Sequence, residues 1–318
     1  MHKAFSTTLE TVFTSLPDTI AIAVSGGADS FALLHLAKNW ADQQGIKMIA
    51  LTVDHQLRPE SLTEAQTVQR WCIDHGIDHH ILPWEGDKPR TALQAKARNA
   101  RRRLLCAAAQ HYGAKAVLLG HQADDQTETL LMRLQRGTGL DGLKAMQPRT
   151  IDKTTRLPLI RPLLSQRRQA LRAYCMAHQL PFIDDPSNDN PVYERVQLRQ
   201  LLQQWPSLAD GVAKATPRLA RANDTLKQLA DEWVQRHRVI LEDTSLWLPP
   251  LNDLLPEIRL RVLQQCCPDA SLPVLEKISE DVIHPAFSGK TMATYWIRPK
   301  VMDKQPGFLI QKAPQRRK

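Results

Sequence analysis

The first half of the chain alternates short, uninterrupted apolar runs with longer stretches whose apolar positions recur every three or four residues. Thr19-Ile20-Ala21-Ile22-Ala23-Val24, Met48-Ile49-Ala50-Leu51-Thr52-Val53, 77–82 and Ala116-Val117-Leu118-Leu119 have the pattern of strands buried on both faces. Between and after them the helical period predicts helices over 31–43, 61–75, 92–111 and 122–135. Strands alternating with helices at this spacing imply a parallel sheet covered on both faces. Such sheets bind ligands beyond the carboxyl ends of their strands, so chemistry is expected just after each strand.

Past Arg161-Pro162-Leu163-Leu164 the pattern predicts a helix over 166–178, a loop rich in Asp, Asn, Pro and Ser over 181–190, and a short helix over 195–204. The character then changes. Leu219, Ala222, Leu226, Leu229 and Trp233 mark an amphipathic helix whose other side carries Lys214, Arg218 and Arg221. Two short apolar runs within 291–311, separated by Asp303 to Gly307, read as a hairpin. The expected organisation is an α/β domain over 1–205 and a smaller, mainly helical domain over 206–318.

Charge adds a class of partner. In 318 residues, 42 Lys and Arg face 33 Asp and Glu, a formal charge of +9. That excess suits a polyanion such as RNA, or an acidic membrane surface. No apolar run approaches the roughly 18 residues that span a bilayer, and the first residues lack the apolar core of a signal peptide, so a cytoplasmic protein with no membrane partner is expected. The five cysteines form no CxxC pair and no Cys/His cluster, which argues for reduced thiols without disulfide, zinc or iron-sulfur centre. Cys72, Cys106 and Cys175 are expected as core residues on helices.

Directly after the first strand comes Ser25-Gly26-Gly27-Ala28-Asp29-Ser30, with a helix opening behind it. Paired glycines let the amides of a tight loop turn inward, and a helix N-terminus adds free N–H groups and a positive dipole end, together an anion nest suited to pyrophosphate. Asp29 and Ser30 add oxygen atoms that can help hold Mg²⁺. The string is neither a Walker A loop nor a GxGxxG fingerprint. It resembles the SGGxDS signature of the PP-loop ATP pyrophosphatases, which cleave ATP between the α and β phosphates and attach AMP to a substrate oxygen. That resemblance implies an adenine nucleotide alpha hydrolase-like fold, ATP binding by Ser25 to Ser30, and Mg²⁺ held by Asp29.

Three further stretches narrow the family. The second strand ends in Val53-Asp54-His55-Gln56-Leu57-Arg58, similar to the VDHxLR segment of the tRNA(Ile)-lysidine synthetases, which implies a contact of Asp54 with ATP. His121-Gln122-Ala123-Asp124-Asp125-Gln126-Thr127-Glu128-Thr129 resembles their HxxDDxxET string. On a continuous helix His121, Asp125 and Glu128 would share one face, an imidazole beside two carboxylates fit to receive an amine nucleophile. Arg136-Gly137-Thr138-Gly139-Leu140-Asp141-Gly142-Leu143 with Met146 matches RGTGxxGLxxM, and Arg98 with Arg101 matches ARxxR. Arg101 is thereby implied to stabilise charge on the α-phosphate, while Arg102 and Arg103 are read as solvated. Gln94 and Arg102 stand where the family often has Glu and Tyr. Asp184-Asp185-Pro186-Ser187-Asn188-Asp189 with Tyr193, Arg195 and Arg199 resembles the segment that implies contact with the tRNA anticodon arm, although Val196 replaces a common Asn. The likeness is dense from Ser25 to Arg199 and weak beyond Trp205.

Membership in that family implies ATP-dependent ligation of free L-lysine to carbon 2 of the wobble cytidine of a CAU-anticodon tRNA(Ile), through an adenylylated intermediate. Asp29, Arg101 and His121 would be catalytic, Asp125 and Glu128 would bind lysine, and Arg195 and Arg199 would bind tRNA. A homodimer is left open. Two alternatives stand beside this reading: a tRNA thiolase built on the same loop, and a non-catalytic basic RNA-binding protein.

Overall fold

The structure, a computed structural model, describes residues 1–56, 61–86, 93–184, 194–242, 244–292 and 294–313, without the side chains of 93–95, 203 and 206. Leu57, Arg58, Asp185 to Asp189, Tyr193 and the side chain of Gln94 therefore lie outside the described residues. The chain divides into two compact units, one formed by 1–136 with 145–216 and the other by 137–144 with 217–318.

In the first unit, α1 (His2–Val12) precedes β1 (Thr19–Ala23), α2 (Ala28–Gln44), β2 (Lys47–Asp54), α3 (Ser61–Asp74), β3 (Asp78–Pro83), α4 (Leu93–His111), β4 (Val117–Leu118) and α5 (Ala123–Gln135). The short α6 (Leu140–Leu143) packs with the second unit, after which the chain returns through β5 (Arg149–Ile151), β6 (Pro158–Ile160), α7 (Arg168–Ala177) and α8 (Glu194–Gln204). The sheet order is β3-β2-β1-β4-β6-β5, parallel throughout except for the antiparallel edge strand β5.

Both faces of this sheet are buried, which is why its central strands read as unbroken apolar runs. Side chains alternate across β1: Ile20 and Ile22 join a cluster with Phe31, Leu33 and Leu34 of α2 and Leu171 of α7, while Ala21 joins Leu51, Val117 and Leu105 on the opposite face. Cys72, Cys106 and Cys175 are buried on α3, α4 and α7, as their helical placement predicts.

The β5–β6 turn is organised by Asp152, which is 4% exposed. Its Oδ2 accepts from the N–H groups of Thr154 (3.0 Å) and Thr155 (2.8 Å) and from the Thr155 hydroxyl (3.0 Å), and its Oδ1 accepts from Arg102 Nε (2.6 Å). Arg102 is thus an ion-pair partner as well as the solvated cation expected from the sequence; the turn it reaches joins two three-residue strands too short to be read from the sequence. Burial alone would raise the Asp152 carboxyl, but these donors outweigh it and hold the group down at about 2. Asp152→Ala is expected to lower stability by about 2 kcal/mol, the cost of leaving several donors unsatisfied. Because the folded value lies below the unfolded value of ~3.9, the contribution is complete above that pH and is lost as pH falls toward 2. Urea unfolding at pH 7 and pH 3 would show a smaller difference between variant and parent at the lower pH.

In the second unit the long helix α9 (Pro206–His237), whose first turns belong to the first unit, is followed by β7 (Val239–Ile240), β8 (Leu246–Leu248), α10 (Pro256–Cys266), α11 (Leu272–Asp281), β9 (Lys290–Met292), β10 (Tyr295–Pro299) and β11 (Phe308–Lys312). The predicted hairpin corresponds to β10 and β11, paired from Tyr295↔Lys312 to Pro299↔Phe308, but it is part of a five-stranded antiparallel sheet, β7-β8-β11-β10-β9. The two- and three-residue strands carry too little periodicity to read from sequence. The buried side of α9 is also rotated from the expected stripe. Ala230, Val234 and Asn223 are buried while Leu229 is half exposed, because Asn223 Oδ1 accepts from the buried Arg261 Nη2 at 3.0 Å. Lys214, Arg218 and Arg221 are exposed as predicted. No helix among the described residues is long and apolar enough to cross a membrane.

Candidate functional site

Strands β1, β2, β4 and β6 are parallel neighbours, so the residues that follow them emerge at one edge of the sheet. Ser25 to Ser30, Asp54 with His55, Gly120 with His121, and Arg161 all lie there.

The first turn is built from its own side chains. Ser30 Oγ accepts from the Ser25 N–H (3.1 Å) and donates to the Gly27 carbonyl (2.9 Å), and Gly26 sits at φ +90°, where a side chain would be strained. The loop is tied from outside as well: the Ile183 N–H donates to the Gly26 carbonyl (2.9 Å) and the Cys175 thiol to that of Ala28 (3.2 Å). Helix α2 opens at Ala28, three residues before its predicted start, so Asp29 lies in its first turn. The N–H groups that open a helix have no intrahelical partner and face whatever sits above the turn.

Asp29 Oδ1 is buried and has no hydrogen-bond partner among the described residues. Burial is the largest influence on this carboxyl and pushes it up to about 6; Asp125 and Asp124 push the same way, against Arg168 and Arg199. A buried carboxylate oxygen without a donor fits a hard cation. Among the described residues no group of three or more His, Cys, Asp or Glu surrounds it, which is acceptable for Mg²⁺, an ion that keeps waters and phosphate oxygens as most of its ligands.

Gly120 brings the end of β4 against this loop. A Cβ at that position would lie 3.3 Å from the Asp29 carbonyl oxygen and 3.4 Å from Ser30 Cα, both backbone atoms that can give way only by moving the loop. Gly120→Ala is therefore expected to slow the nucleotide-dependent step by roughly tenfold or more, since small misplacements of reacting groups cost rate steeply. Steady-state kinetics beside a melting curve would separate this from unfolding.

After β2, Asp54 Oδ1 accepts from the Gln56 N–H (2.9 Å) and the Ser61 hydroxyl (2.7 Å), so this oxygen shapes the loop. The neighbouring His55 receives a hydrogen bond at Nε2 from Arg101 Nε (3.2 Å) and packs edge-on against Trp84. The two motifs that carry His55 and Arg101 are thereby joined.

His121 is not on the helix that its spacing suggested. α5 begins at Ala123 with Gln122 as N-cap: Gln122 Oε1 accepts from the Asp124 N–H (2.5 Å) and Asp125 Oδ2 from the Gln122 N–H (3.1 Å), leaving His121 in the preceding loop. Its electrostatic neighbours are also different from those expected. Burial first, then Arg161, Arg98, Arg195 and Arg101, hold the imidazole down at about 3, so it is neutral at physiological pH. The buried Nδ1 has no partner among the described residues.

Asp125 and Glu128, three residues apart on α5, do share a face. Glu128 is fully buried, and burial raises its carboxyl. Two arginines from following helices reach the pair: Arg199 Nε lies 3.2 Å from Glu128 Oε1, and Arg168 Nη2 lies 3.4 Å from Asp125 Oδ1 and 3.7 Å from Glu128 Oε1. Glu128 Oε2 remains buried without a partner among the described residues. Arg195, on the same helix as Arg199, donates to the Thr129 hydroxyl at 3.5 Å. Both arginines read as RNA contacts thus face α5. Sequence reasoning passed over Arg168 and Arg161. Arg161 follows a three-residue strand, and Arg168 is one of two adjacent arginines that only the docking of α7 on Asp124 tells apart: the Arg168 N–H donates to Asp124 Oδ2 at 2.8 Å while Arg167 Nη1 donates to Oδ1 at 3.1 Å.

The edge therefore joins a glycine-containing turn that opens a helix, a neutral imidazole set among arginines, and an acid pair of which Glu128 is fully buried. Such a set can hold a nucleotide, stabilise charge on a transferring phosphate and receive a cationic amine. The cysteines stand apart from it chemically, since burial pushes the thiols of Cys72 and Cys267 up to about 12 and those of Cys106, Cys175 and Cys266 up to about 11.

Comparison with known proteins bears on this arrangement. A PP-loop domain matches residues 1–205. The chain is 46% identical over 206 residues to the tRNA(Ile)-lysidine synthase of Hyphomonas neptunium, a stretch covering 63% of this chain and 55% of that protein. It is 44% identical over 257 residues to that of Bradyrhizobium diazoefficiens, covering 77% of this chain and 71% of that one. Among solved structures it is similar to the U34-tRNA thiolase NcsA of Methanococcus maripaludis with its 4Fe-4S cluster, at a TM-score of 0.57 and 17% identity over 68% of this chain and 78% of that one, a likeness of fold.

Proposed function

Since the chain belongs to the tRNA(Ile)-lysidine synthase family and carries its PP-loop domain, we propose that it uses ATP to activate the wobble cytidine of a CAU-anticodon tRNA(Ile) and joins free L-lysine to carbon 2 of that base. The observation that carries this reading is the continuity of Gly120, His121 and α5, which sets the phosphate turn beside the acid pair Asp125 and Glu128.

The base, splayed out as loop bases can be, presents its carbonyl oxygen to the α-phosphate of ATP. The oxygen–phosphorus bond forms and pyrophosphate leaves, held by the amides of the 25–30 turn. Mg²⁺, for which Asp29 offers its unpartnered oxygen, would supply charge neutralisation to the phosphates. Arg101, oriented through His55, meets the negative charge that grows on the α-phosphate. In the second step the lysine ε-amine attacks carbon 2 and AMP leaves. Asp125 and Glu128 attract the ammonium, and His121, whose basicity burial and the surrounding arginines suppress, takes up the amine's proton once a bound phosphate offsets that field.

A thiolase reading is supported by likeness of fold alone, and the high-lying buried thiols speak against a sulfur-carrying cysteine. Pyrophosphate release is the discriminating observable for activation. It should require both ATP and tRNA, proceed without any sulfur donor, and be absent with ATP alone; release that needs no tRNA would exclude base activation.

A further inference from the structure

Arg161 emerges from β6 beside the strand that delivers His121. Val117 and Leu118 of β4 pair with Leu159 and Ile160 of β6, and the Leu119 N–H donates to the Ile160 carbonyl at 2.8 Å, so Gly120-His121 and Arg161 leave adjacent strands at the same level. The guanidinium is fixed from behind: Nη1 donates to the Gln147 carbonyl (3.0 Å) and to Thr150 Oγ1 (3.1 Å), and the Arg161 N–H donates to the Pro148 carbonyl (2.8 Å). Its Nε is buried and has no partner among the described residues. Among the charged groups acting on His121, Arg161 is the strongest, followed by Arg98, Arg195 and Arg101, all of one sign. Like charges held together around a neutral ring are unfavourable unless an anion sits among them, and an immobilised fork with a spare N–H is suited to a phosphate.

We propose that Arg161 is a nucleotide-binding residue that completes, with Arg98, Arg101 and Arg195, a cationic cradle around His121 for the phosphate undergoing transfer. The proposal rests on the nucleotide-dependent reading of the site. It favours a nucleotide phosphate over a tRNA backbone phosphate because β6 pairs with β4, which pairs with β1, and Gly120 at the end of β4 lies against the turn that follows β1. A bound phosphate also cancels part of the field on His121, so the imidazole gains basicity when the nucleotide is present, before the amine has to be deprotonated.

The test is direct binding of ATP with Mg²⁺ to the full chain, without tRNA or lysine, for the parent, Arg161→Met, Arg161→Lys and Thr150→Val. Arg161→Met should weaken ATP binding about tenfold or more, Arg161→Lys should recover part of the loss because it keeps charge without the fork, and Thr150→Val should fall between. NMR titration of the His121 ring should show its pKa raised in nucleotide-free Arg161→Met, a change that a purely structural role would not produce in a variant with unchanged melting. Unaltered ATP affinity in a folded Arg161→Met would overturn the proposal, as would a loss confined to tRNA binding. Because ATP binding needs neither lysine nor tRNA, its outcome is independent of whether lysine is the nucleophile.

Discussion

Replacing Asp29 with alanine is expected to reduce tRNA-dependent pyrophosphate release by about 10²–10³-fold while leaving the fold intact. The size follows from where the side chain lies. Its Oδ1 is buried in the first turn of α2 with no donor among the described residues, so a bound cation would stabilise the charged carboxylate against the burial that disfavours it. Removing it removes that ligand and also a buried group with no donor, which is why stability should hold or rise slightly. Asp29→Asn, which keeps the shape, should be nearly as slow, and raising Mg²⁺ should restore part of the parent rate in either variant. A variant as fast as the parent at ordinary Mg²⁺ would remove Asp29 from the metal and phosphate site.

Glu128→Gln is expected to affect the other half of the reaction. The side chain is fully buried and meets Arg199 and Arg168, with Oε2 left unpartnered among the described residues. Neutralising one member of a buried charge cluster costs about 3–5 kcal/mol locally, and the lost attraction for an ammonium adds to it. Lysine transfer should therefore fall by about 10²-fold or more, mainly as a higher KM for lysine, whereas tRNA-dependent pyrophosphate release persists. Asp125→Asn should act in the same direction but less strongly, because Asp125 also caps α5 and lies nearer solvent. Equal loss of both half-reactions in Glu128→Gln, in step with a lowered melting temperature, would assign Glu128 to structure instead of amine binding.

The parallel sheet and its turns were legible because the strands that matter are buried on both faces and followed by small, polar or charged residues at the carboxyl edge. Ser25 to Ser30 is such a turn, and its glycines, Asp and Ser declare it without any knowledge of packing. His121 was placed on the wrong element because a helix period says nothing about where the cap falls; Gln122 and Asp125 decide it by exchanging hydrogen bonds. Arginines were the least legible feature. Arg98, Arg101, Arg161 and Arg195 come from three helical and strand segments far apart in sequence, and no local pattern reveals that they act on one imidazole. Arg102 shows the same limit, since its partner Asp152 lies fifty residues away in a turn between three-residue strands. In the second unit the buried Asn223 displaced the apolar stripe of α9 because a hydrogen bond to Arg261 outweighed the hydrophobic period.

The most direct test of the whole account is incorporation of ¹⁴C-lysine into a CAU-anticodon isoleucine tRNA transcript by the full chain, with and without ATP. The account predicts incorporation that requires ATP, is confined to the wobble cytidine, and is lost when that cytidine is replaced by uridine. Absence of lysine incorporation in the presence of ATP-dependent pyrophosphate release would contradict it, leaving an activated base and a different nucleophile.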